Sequence, residues 1–292
     1  GHPIRRCMSN WNAPEVVVKA VLGAGVKKAN LPTRDLLIRG ALSGAILGFA
    51  TTLAFTCAVQ TKPIFGAVLF PVGFVMILLF GLELVTGNFM VLPMAYQTGQ
   101  VRLQDLLWNW AMVFCGNFAG ALFYASLYAF VTTAAFTHYD HPVVNLLKQT
   151  ALGKTHAYTA LPGASGLAVC FCKALLCNWM VCMGVACNMV TTSVAGKVLA
   201  MWLPVLTFFG QGFEHLVVNM FVIPCGMILG ADVSILDLIF VNLIPVILGN
   251  IIGGSVFVGF AFLYTFGERK TADQGGLLPT DLTSANPLQG GS

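Results

Sequence analysis

Six apolar stretches, at about 36–59, 64–95, 106–136, 166–191, 198–229 and 235–266, set the terms for this chain. Each reaches or exceeds the roughly 20 residues that a helix needs to cross a bilayer. Only 9% of the 292 residues are charged and 57% are hydrophobic, so a soluble domain is excluded and a polytopic membrane protein is implied. The formal net charge of +4 does not point to nucleic acid. The predicted fold is an all-α membrane protein with six transmembrane helices.

The second and fifth stretches run past 30 residues and carry charge. Each contains Glu-x4-Asn-x4-Pro: Glu83, Asn88 and Pro93, then Glu214, Asn219 and Pro224, an offset of 131 residues (83 to 214). Downstream, Gly116-Asn117-Phe-Ala-Gly120 is echoed by Gly249-Asn250-Ile-Ile-Gly253, at an offset of 133 (116 to 249). Two motifs in the same order at nearly the same offset indicate an internal duplication. A unit with three crossings is odd, so its second copy enters the membrane upside down. Such an inverted 3+3 repeat with interrupted helices is the sequence sign of a transporter or channel whose site lies between the halves.

Over-length, internal charge and glycine predict that stretches two and five are broken helices, tolerated only where they line a buried cavity. In the fifth, Gly210-Gln211-Gly212 precedes Glu214, His215 and Asn219. Ionisable groups at membrane depth cost roughly 2.5 kcal/mol or more and so mark a functional site. A second half-helix is expected from Phe213, its unpaired N–H groups and positive dipole end facing what His215 faces. On that helix Glu214 would point about 100° away from His215. Glu83, Asn88, Glu214 and Asn219 are therefore expected to be structural, holding the breaks. His215 is the only histidine of five inside an apolar stretch. A dry constriction disfavours a charged imidazole, so the ring is expected to be neutral until an anion arrives.

The basic residues report orientation. Arg5, Arg6, Lys19, Lys27, Lys28, Arg34, Arg39, Arg102, Lys197, Arg269 and Lys270 fall on one side, and Lys62, Lys148 and Lys154 on the other. This places both termini on the cytoplasm-like side. The 137–165 connection, with His138, His141 and His156, reads as a loop facing the opposite side. Residues 1–33 comprise a polar tail or remnant of a processed leader and an amphipathic surface helix over Ala13–Ala29. Residues 34–266 form the channel domain, and 267–292 a disordered tail. The nine cysteines lack metal-ligand spacing and read as small core residues; no metal site or cofactor is implied. Small residues in stretches three and six (Gly116, Gly120, Gly249, Gly253, Gly254) suit close helix approach in an oligomer.

Phe70, Phe74 and Phe208 flank the presumed breaks and suit hydrophobic constrictions. Lys173, in stretch four, either snorkels to the interface or attracts anions into a vestibule. Gly163-Ala-Ser165-Gly166, with His215 downstream, resembles the Ser–His dyad of rhomboid intramembrane proteases, a short motif that leaves the duplication unexplained.

A more extensive resemblance covers about residues 13–266. Phe80-Gly-Leu-Glu-Leu-Val-Thr86-Gly-Asn88, Cys177-Asn178-Trp-Met-Val181-Cys and Gly212-Phe-Glu214-His215-Leu-Val-Val-Asn219-Met-Phe-Val-Ile-Pro224 are similar to the formate/nitrite transporter family. Gly25-Val-Lys-Lys28-Ala29 resembles its N-terminal helix. The resemblance implies an aquaporin-like protomer, a homopentamer in the lipid bilayer, and one pore per protomer for small monovalent anions: formate, nitrite, bicarbonate, hydrosulfide or lactate. It makes His215 the central pore residue, Thr86 its hydrogen-bond partner, and Asn178 and Val181 lining of the same chamber. Phe70, Phe74, Leu84 and Phe208 become two hydrophobic slits. Phe70-Pro-Val-Gly73-Phe74 and Cys177-Asn-Trp resemble the algal and cyanobacterial branch, in which bicarbonate and nitrite are the usual substrates. A plasma membrane and a chloroplast envelope fit equally.

One departure stands out. The family's vestibule lysine lies sixteen residues before the Asn178 position, where this chain has Pro162. Lys154, in a Lys-x-His like the family's, and Lys173 are the candidates to replace it. The implied mechanism draws an anion into a basic vestibule and towards Thr86 and His215 between the slits. It crosses either as a neutral acid after gaining a proton, or alongside a charged histidine. A neutral-solute channel of aquaporin type remains the alternative, without the duplicated Asn-Pro-Ala of that family.

Overall fold

The computed structural model describes residues 10–267. The predicted tail beyond Gly267, and Arg5, Arg6, Arg269 and Lys270, lie outside the described residues. Helices dominate, and the described residues form no strand beyond a single bridge between Trp11 and Thr191. In chain order the helices are α1 Pro14–Ala29, α2 Thr33–Gln60, α3 Pro63–Leu69, α4 Pro71–Leu79, α5 Val85–Gln97, α6 Leu103–Thr132 and α7 Pro142–Gly153. They continue with α8 His156–Thr159, α9 Ser165–Cys187, α10 Val194–Gly210, α11 Leu216–Ile228 and a last helix, α12, over Asp237–Phe266. The last contains two π-helical stretches, Asp237–Leu243 and Ser255–Phe260.

Four of these, α2, α6, α9 and α12, are long and apolar enough to cross a membrane. Stretches two and five are instead assembled from shorter helices. The first of these bends at Phe70-Pro71, where Phe70 ends α3 and Pro71 opens α4. Proline suits a first helical turn because its missing N–H is an orphan there anyway. Both stretches then stop in the same way. Gly81 (φ +63°) and Gly212 (φ +65°) sit just past the ends of α4 and α10. The following N–H groups reach back five residues, Leu82 to Ile77 O (2.9 Å) and Phe213 to Phe208 O (3.2 Å). This is the Schellman closure, in which a left-handed glycine lets the last carbonyls be satisfied. The offset between these glycines is again 131 residues (81 to 212).

The predicted restart at Phe213 is thus three residues early. After the Schellman turn the chain runs extended, His215 has φ −100° and ψ 120°, and α11 begins at Leu216. Glu214 and His215 point apart because they are consecutive residues of an extended run, not because of a helical 100° step. Leu84 (φ −121°, ψ 115°) holds the same position before α5.

Glycines set the helix spacing within the protomer. Gly116 and Gly120 on α6 lie against the backbone of α2 at Leu37 and Ala41, and Gly249 and Gly253 on α12 against Phe171 and Leu175 of α9. These contacts correct the expectation that the glycines serve oligomer contacts: their close approaches are used up inside one chain. Helix α1 buries Val17, Val18, Val21 and Gly25, the last against Val91 of α5. It is therefore packed into the body along one face rather than merely lying on a membrane surface. The predicted 137–165 loop likewise contains α7, whose Val143, Val144, Leu147 and Ala151 are buried. Helix α7 packs on α11 as α1 packs on α5.

Candidate functional site

Around each break the same set of polar side chains closes the same bonds. In the first half Glu83, 2% exposed, accepts from Lys28 Nζ (2.8 Å) and Asn88 Nδ2 (2.9 Å). Asn88 also donates to Asn109 Oδ1 (2.8 Å), and Asn109 Nδ2 donates to Lys28 O (2.9 Å). In the second half Glu214, also 2% exposed, accepts from Lys154 Nζ (3.0 Å) and Asn219 Nδ2 (2.6 Å). Asn219 donates to Asn242 Oδ1 (2.8 Å), and Asn242 to Lys154 O (2.9 Å). Buried charges persist only when paired and hydrogen-bonded, and each carboxylate here is both.

A second asparagine in each half caps the half-helix. Asn117 Oδ1 accepts the first N–H of α5, from Val85 (3.0 Å), and Asn250 Oδ1 accepts that of α11, from Leu216 (3.0 Å). Their amides bind Glu83 O (2.9 Å) and Glu214 O (3.1 Å). An extended segment in the middle of an apolar body would otherwise leave orphan groups, each costly to bury. Glu83, Asn88, Glu214 and Asn219 thus lie in these break networks, away from the His215–Thr86 contact.

The halves differ where they meet. His215 is the N-cap of α11 and its Nδ1 accepts from Val218 N–H (3.2 Å). That backbone donor assigns the proton of the neutral ring to Nε2. Nε2 lies 3.2 Å from Oγ1 of Thr86, which is in the first turn of α5. The N-termini of the two half-helices therefore meet, and both aim positive dipole ends at this point. Thr86 O accepts from Asn178 Nδ2 (3.0 Å), which also donates to Asn250 O (2.6 Å). Asn178 Oδ1 is buried with no partner among the described residues. Val181 lies three residues further along α9 and is fully buried.

Aromatic rings cover His215 on one side. Phe208 stacks on its imidazole (5.5 Å, 15°), Phe70 meets Phe208 edge-on (5.9 Å, 83°), and Phe209 stacks on Phe70 (3.8 Å, 12°). Phe74 is buried with its ring edge against Gly184. Beyond Phe208 opens a cavity of about 510 Å³ bordered by Phe55, Ala58, Phe213, Lys154 and His215. A smaller cavity of about 260 Å³ is bordered by Lys27, Lys28, Arg39, Leu82 and Glu83. The two cavities touch α2 at Ala54–Ala58 and at Arg39, roughly 25 Å apart at 1.5 Å per residue. Leu84, 2% exposed, lines a further small void of about 20 Å³ with Lys28, Leu78, Leu82 and Val185.

The two candidate lysines part company. Lys154 borders the larger cavity, whereas Lys173 sits over the ring of Tyr158 (5.6 Å) and borders none of these cavities. Ser165 is not brought to His215. Both ring nitrogens of His215 are engaged, by Val218 and Thr86, and Ser165 is an exposed residue at the start of α9. Asn109, Asn242, Tyr158 and the lysine partners were missed from sequence as network members. The duplication offset was the available signal: Asn109 and Asn242 stand 133 residues apart, as do Asn117 and Asn250.

Comparison with known proteins gives a consistent set of matches. The profile described as formate/nitrite transporter matches residues 15–264. The formate channel BtFdhC of Bacillus thuringiensis is 34% identical over 268 residues, covering 89% of this chain and 98% of that protein. The solved structure of an FNT family ion channel superposes with a TM-score of 0.72 at 26% identity, covering 85% of this chain and 98% of the other. A pentameric formate channel with formate bound shares the fold, with a TM-score of 0.66 at 24% identity, over 81% of this chain and 98% of that one.

Proposed function

The chain belongs to the formate/nitrite transporter family, and from that premise we propose that it conducts small monovalent anions of the formate, nitrite, bicarbonate and lactate class across a membrane, together with a proton. The observation that carries this reading is the His215–Thr86 contact. It lies at the junction of two half-helix N-termini, and its His215 borders the larger of two cavities that each hold lysine. Relatives named as formate channels support the substrate class.

In this reading α3–α5 form one crossing and α10–α11 another, giving six in all. The matched networks around Glu83 and Glu214 support two copies of a three-helix unit. Because each copy has three crossings, the second is inverted, and the protomer is aquaporin-like with both termini on the cytoplasm-like side. The protomers assemble as a homopentamer, in line with the pentameric formate channel that shares the fold. Each protomer carries its own pore.

An anion is drawn into the larger cavity by Lys154, or into the smaller one by Lys27, Lys28 and Arg39. Phe70, Phe74 and Phe208 on one side, and Leu84 on the other, form apolar slits that a bare anion crosses at high cost. At the centre the Nε2–H of His215 and the hydroxyl of Thr86 offer donors, and the dipoles of α5 and α11 favour negative charge. Asn178 and Val181 line this chamber. The ring stays neutral, because an imidazolium would have to give up the bond that Nδ1 accepts from Val218. The anion therefore takes a proton from water in the cavity at one mouth, passes each slit as the neutral acid, and returns the proton to water in the cavity at the other mouth.

The test is uptake of labelled formate, nitrite, bicarbonate and lactate into proteoliposomes at several pH values. Saturable uptake that rises as pH falls is expected. Passage of neutral solutes such as glycerol without anion uptake would overturn this reading and favour the neutral-solute alternative.

A further inference from the structure

The two carboxylate networks differ in two contacts, one from Tyr158 and one from Asn242. Glu83 takes Lys28 on one oxygen (Oε1, 2.8 Å) and Asn88 on the other (Oε2, 2.9 Å). Glu214 gives one oxygen to the phenol of Tyr158 (Oε1, 2.8 Å). Lys154 is left to share the other oxygen with Asn219 (2.6 Å) and Asn242 (3.3 Å). The offset that relates Lys28 to Lys154 relates Tyr158 to Pro32, which has no hydroxyl.

Tyr158 is well placed for this bond. Its side chain is 5% exposed, and Gly166 of α9 lies against its carbonyl. The Lys173 ammonium over its ring (5.6 Å) is within cation–π reach and polarises the phenol towards a stronger donor. A carboxylate that already accepts from a phenol and two amides holds an ammonium less tightly, because its charge is spread over more donors. Lys154 is also the lysine that borders the larger cavity with His215.

We propose that Tyr158 is a positioning residue that loosens Lys154 from Glu214, so that the Lys154 ammonium turns part of its hydrogen-bonding capacity to an anion in the larger cavity. The smaller cavity lacks this device, and its Lys28 stays bound to Glu83. The two mouths therefore differ in anion affinity, the Lys154 side binding more tightly. This inference rests on the anion-channel reading above.

The experiment uses the full chain expressed in cells that lack formate transport, with labelled formate influx and efflux measured against concentration. Tyr158→Phe keeps the ring and its contact with Lys173 but removes the hydroxyl. The expected result is a rise of about tenfold in the half-saturating formate concentration for one direction only, the size associated with losing a hydrogen bond near a charged group. The maximal rate stays within about twofold, since the central site is untouched. Lys154→Ala raises the same constant, and adding Tyr158→Phe to it changes nothing further, because the phenol acts only through the ammonium. Equal effects in both directions, an effect on maximal rate alone, no effect, additivity with Lys154→Ala, or failure of Tyr158→Phe to assemble would each overturn the inference and leave the channel reading intact. Wild-type protein without saturable formate flux would overturn both.

Discussion

His215 Nε2 lies 3.2 Å from Thr86 Oγ1, each side chain standing at the N-terminal end of a different half-helix. In the register of the duplication His215 corresponds to Leu84 and Thr86 to Val217. The polar contact is thus made of one residue from each half, at positions where the other half is apolar. The two matching networks build two similar frames, and the unequal pair stands where the half-helix N-termini meet.

His215→Asn tests that pair. Asparagine is among the best N-cap residues, so the bond to Val218 N–H has a substitute and the fold is retained. What is lost is the ring donor towards Thr86. The protein is expected to elute as the same oligomer while formate flux in proteoliposomes falls about tenfold or more and still rises as pH falls. Wild-type flux with an unchanged pH profile would make His215 a passive core residue.

Thr86→Val and Thr86→Ser separate shape from chemistry. Valine matches the volume but leaves the His215 Nε2–H without its partner, a loss of about 1–3 kcal/mol for a buried donor. Flux is expected to fall by at least about tenfold. Serine keeps the hydroxyl and is expected to stay within a few-fold of wild type. Equal flux in the two variants would remove the hydroxyl from the mechanism.

Glu83→Ala and Glu214→Ala test the frames. Each substitution leaves a half-buried ammonium and an asparagine amide facing an apolar gap. Removing one partner of a buried pair costs about 3–5 kcal/mol. Glu214 also accepts from Tyr158 and Asn242, so its loss is expected to be at least as severe as that of Glu83. Melting of the detergent-purified proteins, followed by tryptophan fluorescence, would show both transitions well below wild type. A melting temperature within a degree or two of wild type would mean that the networks contribute little.

Much of this arrangement was legible in the residues. Charge inside over-length apolar stretches located both breaks, and Glu-x4-Asn-x4-Pro located the carboxylates and their asparagine donors. The restart of α11 was misplaced because Gly210-Gln211-Gly212 does not say which glycine turns left-handed. Its counterpart Gly81 has no glycine two residues earlier, and comparing the copies would have singled out Gly212. Helix α7 was missed because no apolar run marks it. Its buried positions Val143, Leu147 and Ala151 recur every four residues within a polar connection. Tyr158 had no signal of its own, since its role depends on a carboxylate 56 residues away and on a position where the first half has proline. The packing role of Gly116 and Gly120 was equally hidden, because a small-residue stripe does not reveal which neighbour it faces.

Ser165→Ala separates the channel reading from a protease. Ser165 is exposed at the first turn of α9, and neither nitrogen of His215 bonds to it. Formate flux is expected to equal wild type within error, with stability changed by no more than about 0.5 kcal/mol, the usual range for such surface substitutions. Loss of a peptide-cleaving activity in this variant would reverse that reading.

Gly120→Ala asks how rigid the frame is. A Cβ at Gly120 would be driven into the backbone carbonyl and Cα of Ala41, which belong to a long helix and have no rotamer to change. Relief requires α2 and α6 to separate. Asn117 bonds both Gly40 O of α2 and Glu83 O at the first break, so separation also pulls on the network that holds α5. Gly81→Ala offers the contrast: nothing lies within 4 Å of its Cβ position, and the cost is that of a left-handed residue, about 1–2 kcal/mol. Overpacking a close helix crossing costs typically 1–3 kcal/mol and occasionally more. With no side chain able to give way, Gly120→Ala is expected at or above the top of that range. The measurement is melting temperature together with formate flux. Gly120→Ala should lower both, because the strain reaches the break, while Gly81→Asn, which tolerates a left-handed backbone, should leave flux near wild type. Equal, mild effects in the two variants would show that α2 and α6 can slide apart without disturbing the site.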